Sequence, residues 1–64
     1  MIRAKQIYFD NELGTLLVVR FTRVSSSGVK WVDYEMDDGL HMAILYHYME
    51  SLIEQGSLEL TGDL

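Results

Sequence analysis

The ten residues Thr15 to Val24, TLLVVRFTRV, constrain the fold more than any other stretch of this chain. They are dense in β-branched, leucine and aromatic side chains, the composition of a strand. Turn-forming clusters bound them on both sides, Asp10-Asn11-Glu12-Leu13-Gly14 before and Ser25-Ser26-Ser27-Gly28 after. A strand closed off by two short turns pairs with what precedes and follows it. Ile2 to Phe9 and Val29 to Met36 both read as strands, so the first half of the chain predicts an antiparallel three-stranded sheet.

Register follows from loop length. A four-residue loop, Ser25 to Gly28, sets Val24 opposite Val29, Phe21 opposite Val32, Val19 opposite Tyr34 and Leu17 opposite Met36, all on one face. The other face then pairs Thr22 with Trp31, Arg20 with Asp33 and Val18 with Glu35. For the first hairpin, a four-residue loop from Asn11 to Gly14 sends Ile2, Ala4, Gln6 and Tyr8 inward. A five-residue loop or bulge would invert this and bury Arg3 and Lys5, which is costly unless they snorkel, so the shorter loop is preferred.

Asp38 to Gln55 reads as the helix. At helical spacing Met42, Leu45, Met49, Leu52 and Ile53 form one apolar side, and Ala43, His47, Glu50, Ser51 and Glu54 the other. Asp37 or Asp38 would serve as N-cap and Gly56 as the left-handed residue after the last turn. Ser57 to Thr61 alternates as a short final strand with Leu58 and Leu60 inward. The expected fold is therefore α+β: a small antiparallel sheet, order β-β-β-α-β, with one amphipathic helix packed on one face. The neighbour of the last strand stays open: the first strand, the third, or a strand across a dimer. The chain, residues 1–64, makes a single domain.

One helix covers one sheet face only. Leu16 to Val19 is apolar on both sides, and the outer face would expose Ile7, Phe9, Leu16, Val18 and Trp31. A core this small is marginal alone, which favours self-association, so a homodimer through that face is one expectation.

Most chemistries are disfavoured by what the chain lacks. There is no cysteine, hence no disulfide, zinc-thiolate site or thiol nucleophile. His41 and His47, six residues apart on a helix, would point about 240° apart and could not share a metal. His47 with Glu50 gives two ligands and no third. Asp33 to Gly39 has the flavour of a calcium loop but carries Asp38 at the sixth place and Ile44 at the twelfth, where glycine and a bidentate acid belong. No base lies near the serines of Ser25-Ser26-Ser27. The expectation is a non-enzyme with no catalytic residue, cofactor or metal. Without a signal-peptide core or an apolar run of membrane length, a soluble, cytoplasmic chain is the default.

Charge is the feature these exclusions leave. The net charge is −5. Residues 1–30 hold all five cations and two acids, net +3, whereas residues 31–64 hold eight acids and no Lys or Arg, net −8. Such a chain is a poor direct ligand for nucleic acid, which needs cations. Asp33, Glu35 and Asp37 alternate on the outer face of a strand, with carboxylates about 6.8 Å apart. Asp38 follows, and Glu50 and Glu54 form a like-charge pair near the helix C-terminus, where both oppose helix stability. Pairing of Asp33 with Arg20 and general solubility account for part of this. The functional reading is that Asp33, Glu35, Asp37, Asp38, Glu50 and Glu54 imitate a row of phosphates and occupy the cationic channel of a basic nucleic-acid-binding protein.

In size, acidity and lack of cysteine the chain resembles, as a class, the counter-defence proteins of phages and mobile elements, including anti-CRISPR and anti-restriction inhibitors. That resemblance rests on general character, covers no motif and transfers no residue. It implies an inhibitor acting by DNA mimicry on a nuclease or defence complex. The alternative is a homodimeric structural or adaptor module that uses the outer sheet face.

Overall fold

The computed structural model describes residues 1–64. Five strands and one helix follow in chain order: β1 (Gln6–Asp10), β2 (Thr15–Val24), β3 (Lys30–Met36), β4 (His41–Leu45), α1 (Tyr46–Glu54) and β5 (Leu58–Asp63). The strands form one antiparallel sheet, order β4-β3-β2-β1-β5, so the last strand lies beside the first. The fold is a small α+β domain with α1 on the inner face of the sheet.

The first hairpin has its expected register, with Asp10 opposite Thr15 and Ile7 opposite Val18. This turns Gln6 and Tyr8 inward and Ile7 and Phe9 outward. Ala4 is the exception: it is exposed, in a turn where Lys5 takes a φ of 76° and β1 begins only at Gln6. Ile2 still reaches the core from beyond that turn.

The second hairpin keeps its register at one end and shifts at the other. Leu17–Met36, Val18–Glu35 and Val19–Tyr34 pair as expected, and then Arg20 bulges so that Phe21 faces Asp33. Beyond the bulge Thr22 meets Val32, Arg23 meets Trp31 and Val24 meets Lys30. Phe21 is therefore on the outer face and 52 % exposed rather than in the core.

The helix is shorter than its periodicity suggested. His41 to Leu45 is a strand, and α1 starts at Tyr46. Gly39, with φ of 90°, closes a tight turn in which its N–H donates to the Met36 carbonyl while Met36 N–H donates to Leu40. That turn folds β4 back on β3 before a helix can begin. Asp38 caps the turn, its Oδ1 accepting from Leu40 N–H at 3.0 Å, and does not cap the helix. The N-cap is Leu45, without a side-chain bond. At the other end Gly56, with φ of 80°, is the expected left-handed residue. Its N–H and that of Ser57 donate to Ile53 and Leu52, satisfying two terminal carbonyls.

The core lies between sheet and helix: Ile2, Tyr8, Leu17, Val19, Val32, Tyr46, Met49 and Leu58 are buried, with Tyr34, Met36, Ile44, Leu52 and Ile53 packed around them. Leu60, expected inside, is 54 % exposed. Buried Gln6 joins this core with its polar atoms paired. Its Oε1 accepts from Arg3 N–H at 2.8 Å and Tyr8 O–H at 2.9 Å, and its Nε2 donates to the Met1 carbonyl at 3.1 Å. No helix is long and apolar enough to cross a membrane.

Candidate functional site

The six carboxylates singled out in the sequence do not form one field. Asp33 and Glu35 alternate with inward Val32 and Tyr34 and so lie on the outer face, each held by an arginine. The bulge at Arg20 decides the partners: Arg20 pairs with Glu35, and Arg23 Nε reaches Asp33 Oδ2 at 2.6 Å. His41, now on β4, adds an Nε2 at 3.7 Å from Glu35. Glu50 and Glu54 sit on α1, across the sheet from that pair. With Met1, Ile2, Tyr8, His47, Ser51 and Ile53 they line a shallow cleft. Glu50 Oε1 lies 3.0 Å from His47 Nδ1.

Asp37 and Asp38 belong to a different constellation. The β1–β2 turn, the β3–β4 turn and the α1–β5 turn all emerge at one end of the sheet. Backbone bonds from Asp37 to Leu16 and from Asn11 to Ser57 tie the three together. This end carries Asp10, Glu12, Asp37, Asp38 and Glu59, and neither lysine nor arginine occurs in its turns. The C-terminus of α1, whose last turn has no basic residue, adds the negative end of its dipole. The opposite end holds the Ser25–Gly28 loop, Arg23 and Lys30, where Lys30 Nζ stands 4.0 Å from the centre of the Tyr46 ring. The sheet is thus electrically polar along its strands.

Three of the acids at the negative end, Asp10, Asp38 and Glu59, are held by close hydrogen bonds. Asp10 Oδ1 accepts from the N–H groups of Glu12 at 2.9 Å and Leu13 at 3.0 Å. Asn11 Nδ2 donates to Glu59 Oε1 at 2.8 Å and to the Gly56 carbonyl at 2.7 Å. These donors are neutral groups and bring no positive charge to the end. Asp10, Glu12 and Glu59 were not among the carboxylates singled out in the sequence. The signal lay in strand connectivity: alternate turns of a meander share an end, which charge counts along the chain do not reveal.

The outer face presents the expected apolar residues in two cross-strand pairs, Phe9–Leu16 and Ile7–Val18. Phe21 joins them through the bulge. Trp31 is partly covered, with the Arg23 guanidinium 5.7 Å from its ring. Apolar strips and ion pairs alternate across this face.

Burial pushes the Tyr8 and Tyr34 hydroxyls above the ordinary tyrosine value, with smaller contributions from Tyr46 and Asp63 at Tyr8 and from Asp10 at Tyr34. Both phenols stay neutral donors over the physiological range. Comparison with protein-family models, curated proteins and solved structures finds no match.

Proposed function

We propose that the chain is a non-enzymatic binding protein that docks its acidic end on a basic, nucleic-acid-binding partner and excludes DNA or RNA from it. Such a protein acts as an inhibitor of a nuclease or defence complex. One observation carries this reading: Asp10, Glu12, Asp37, Asp38 and Glu59 come from three separate segments to one end of the sheet, which has no cation in its turns. An array of carboxylates on short turns and strand ends, three of them held by close hydrogen bonds, loses little side-chain entropy on binding and steers a cationic partner over long range. Asp33 and Glu35, already matched by Arg23 and Arg20, contribute less to that field, and Glu50 and Glu54 line a separate cleft on the helix side.

The experiment is capture of partners from source-cell lysate at low and high salt, followed by competition of the captured protein with DNA. The quadruple variant Glu12→Gln, Asp37→Asn, Asp38→Asn, Glu59→Gln keeps the oxygen acceptors of the turns and removes four charges. Loss of capture by the variant, with circular dichroism unchanged, is the expected result. Equal capture by variant and wild type, or binding indifferent to salt, overturns the reading.

A further inference from the structure

The two edges of the sheet differ in how they meet solvent. The β5 edge carries Glu59, Gly62 and Asp63 and a register shift opposite Ile7 and Tyr8. Charge, glycine and irregularity are the means by which sheets discourage further pairing. The β4 edge has none of them. His41-Met42-Ala43-Ile44-Leu45 contains no acid, lysine, proline or glycine and stays in unbroken register with β3.

Its backbone groups are ready to pair. Met36 N–H donates to the Leu40 carbonyl, so the antiparallel alternation makes Tyr34–Met42 and Val32–Ile44 the hydrogen-bonded pairs. His41, Ala43 and Leu45 therefore direct their N–H and C=O groups away from β3. The side chains are uncovered on both faces, with Met42 on the inner side and Leu45 on the outer each 43 % exposed. Helix α1 leaves Leu45 and packs against β5, β3 and the inner side of β4, yet His41, Met42, Ala43 and Leu45 stay exposed.

We propose that β4 pairs antiparallel with β4 of a second copy of this chain, about a two-fold axis at Ala43, joining the two sheets into one. In that register Ala43 faces its own counterpart, His41 faces Leu45 and Met42 faces Ile44, so no charged side chain of the strand is brought against another. Ala43 forms the central hydrogen-bonded pair, and its small side chain brings no bulk to the axis. Charge selects this edge. A chain of net charge −5 repels its copies over most of its surface, but the carboxylates of β3, the strand beside β4, are matched, Asp33 by Arg23 and Glu35 by Arg20. The antiparallel arrangement also turns the Asp37-Asp38 turn of one copy towards the Lys30 end of the other, away from its own twin. Asp10, Glu12 and Glu59, on or beside β1 and β5, remain far from the axis, so of the acidic end only Asp37 and Asp38 lie near the pairing.

Sedimentation equilibrium on the full chain tests this, with amide exchange at Ala43 followed against concentration. The wild type associates to a dimer, and exchange of the Ala43 amide slows as it does. Ala43→Lys opposes like charges at the axis and raises the dissociation constant by at least about tenfold, at unchanged circular dichroism. Ala43→Pro removes an N–H that β3 does not use and gives the same loss. Should the proline variant unfold, the lysine variant decides. Val18→Lys, on the outer face, leaves the dimer intact. A wild type still monomeric at about 1 mM, a dimer that survives Ala43→Lys, or one abolished by Val18→Lys overturns the proposal.

Discussion

Gln6 offers a test of how the N-terminal segment is fastened over the core. The residue is 4 % exposed and makes three hydrogen bonds, to Arg3 N–H, Tyr8 O–H and the Met1 carbonyl. Gln6→Leu removes all three at nearly constant volume. Arg3 and Met1 are exposed, so their backbone groups return to water and each lost bond costs about 0.5–1 kcal/mol. Tyr8 is buried, and its stranded hydroxyl adds about 1–3 kcal/mol. Burial of the leucine side chain returns about 1 kcal/mol or somewhat more. The net loss is about 2 kcal/mol, against a total of roughly 3–10 kcal/mol for a chain of this length. Urea unfolding followed by Trp31 fluorescence reads this as a midpoint lowered by about 2 M, taking a slope of about 1 kcal/mol/M. Tyr8→Phe alone costs about 1 kcal/mol, and adding it to Gln6→Leu returns about 1–3 kcal/mol, because the stranded hydroxyl has gone. Strictly additive losses, or a Gln6→Leu midpoint equal to wild type, would refute the account of a network centred on Gln6.

Two further outcomes follow from the backbone and the buried phenols. Lys5 is held at a φ of 76° between bonds from its N–H to Val19 and from Leu64 N–H to its carbonyl, so Lys5→Gly relieves strain without moving the chain. A gain of about 0.5 kcal/mol, seen as a melting temperature about 3 °C higher, is expected, and a lower melting temperature would contradict it. The raised pKa values of Tyr8 and Tyr34 make stability fall in alkali. It is present in full below the ordinary value of 10.0 and is lost as pH rises from there through the higher folded-state values, because the unfolded chain gives up these protons first. Urea midpoints measured on either side of that value check the sign, and Tyr8→Phe with Tyr34→Phe flattens the decline.

Several features of this fold are local and therefore legible in sequence. The Asn11–Gly14 loop fixes the β1–β2 register by its length alone, and Gly56 marks the helix end because the left-handed conformation there excludes most side chains. Two features escaped for physical reasons. The bulge at Arg20 exchanges one inward phenylalanine for two arginine–carboxylate pairs, a balance that strict alternation does not register. His41 to Leu45 is too short for its period to separate helix from strand. Gly39, read as a turn rather than as the first turn of a helix, was the discriminating residue.

Turn chemistry alone accounts for only part of the acidic end. Asp10 and Asp38 accept hydrogen bonds from the backbone of their own turns, a role that selects for a short side-chain oxygen at those places. Asparagine supplies the same oxygen without charge. Glu12 and Asp37 make only long contacts, at 3.4 Å to Ser57 Oγ and to Leu16 N–H, and Glu59 bonds to an amide that already reaches the Gly56 carbonyl. Folding thus requires oxygen at two of the five positions and negative charge at none. Mutual repulsion among five carboxylates, together with the helix terminus beside them, costs stability that a single lysine in any of these turns would relieve. Arg20 and Arg23 show that the chain matches carboxylates elsewhere, on the outer face. An end left unmatched on a molecule that pairs Asp33 and Glu35 with arginines is what a surface kept for a cationic partner requires.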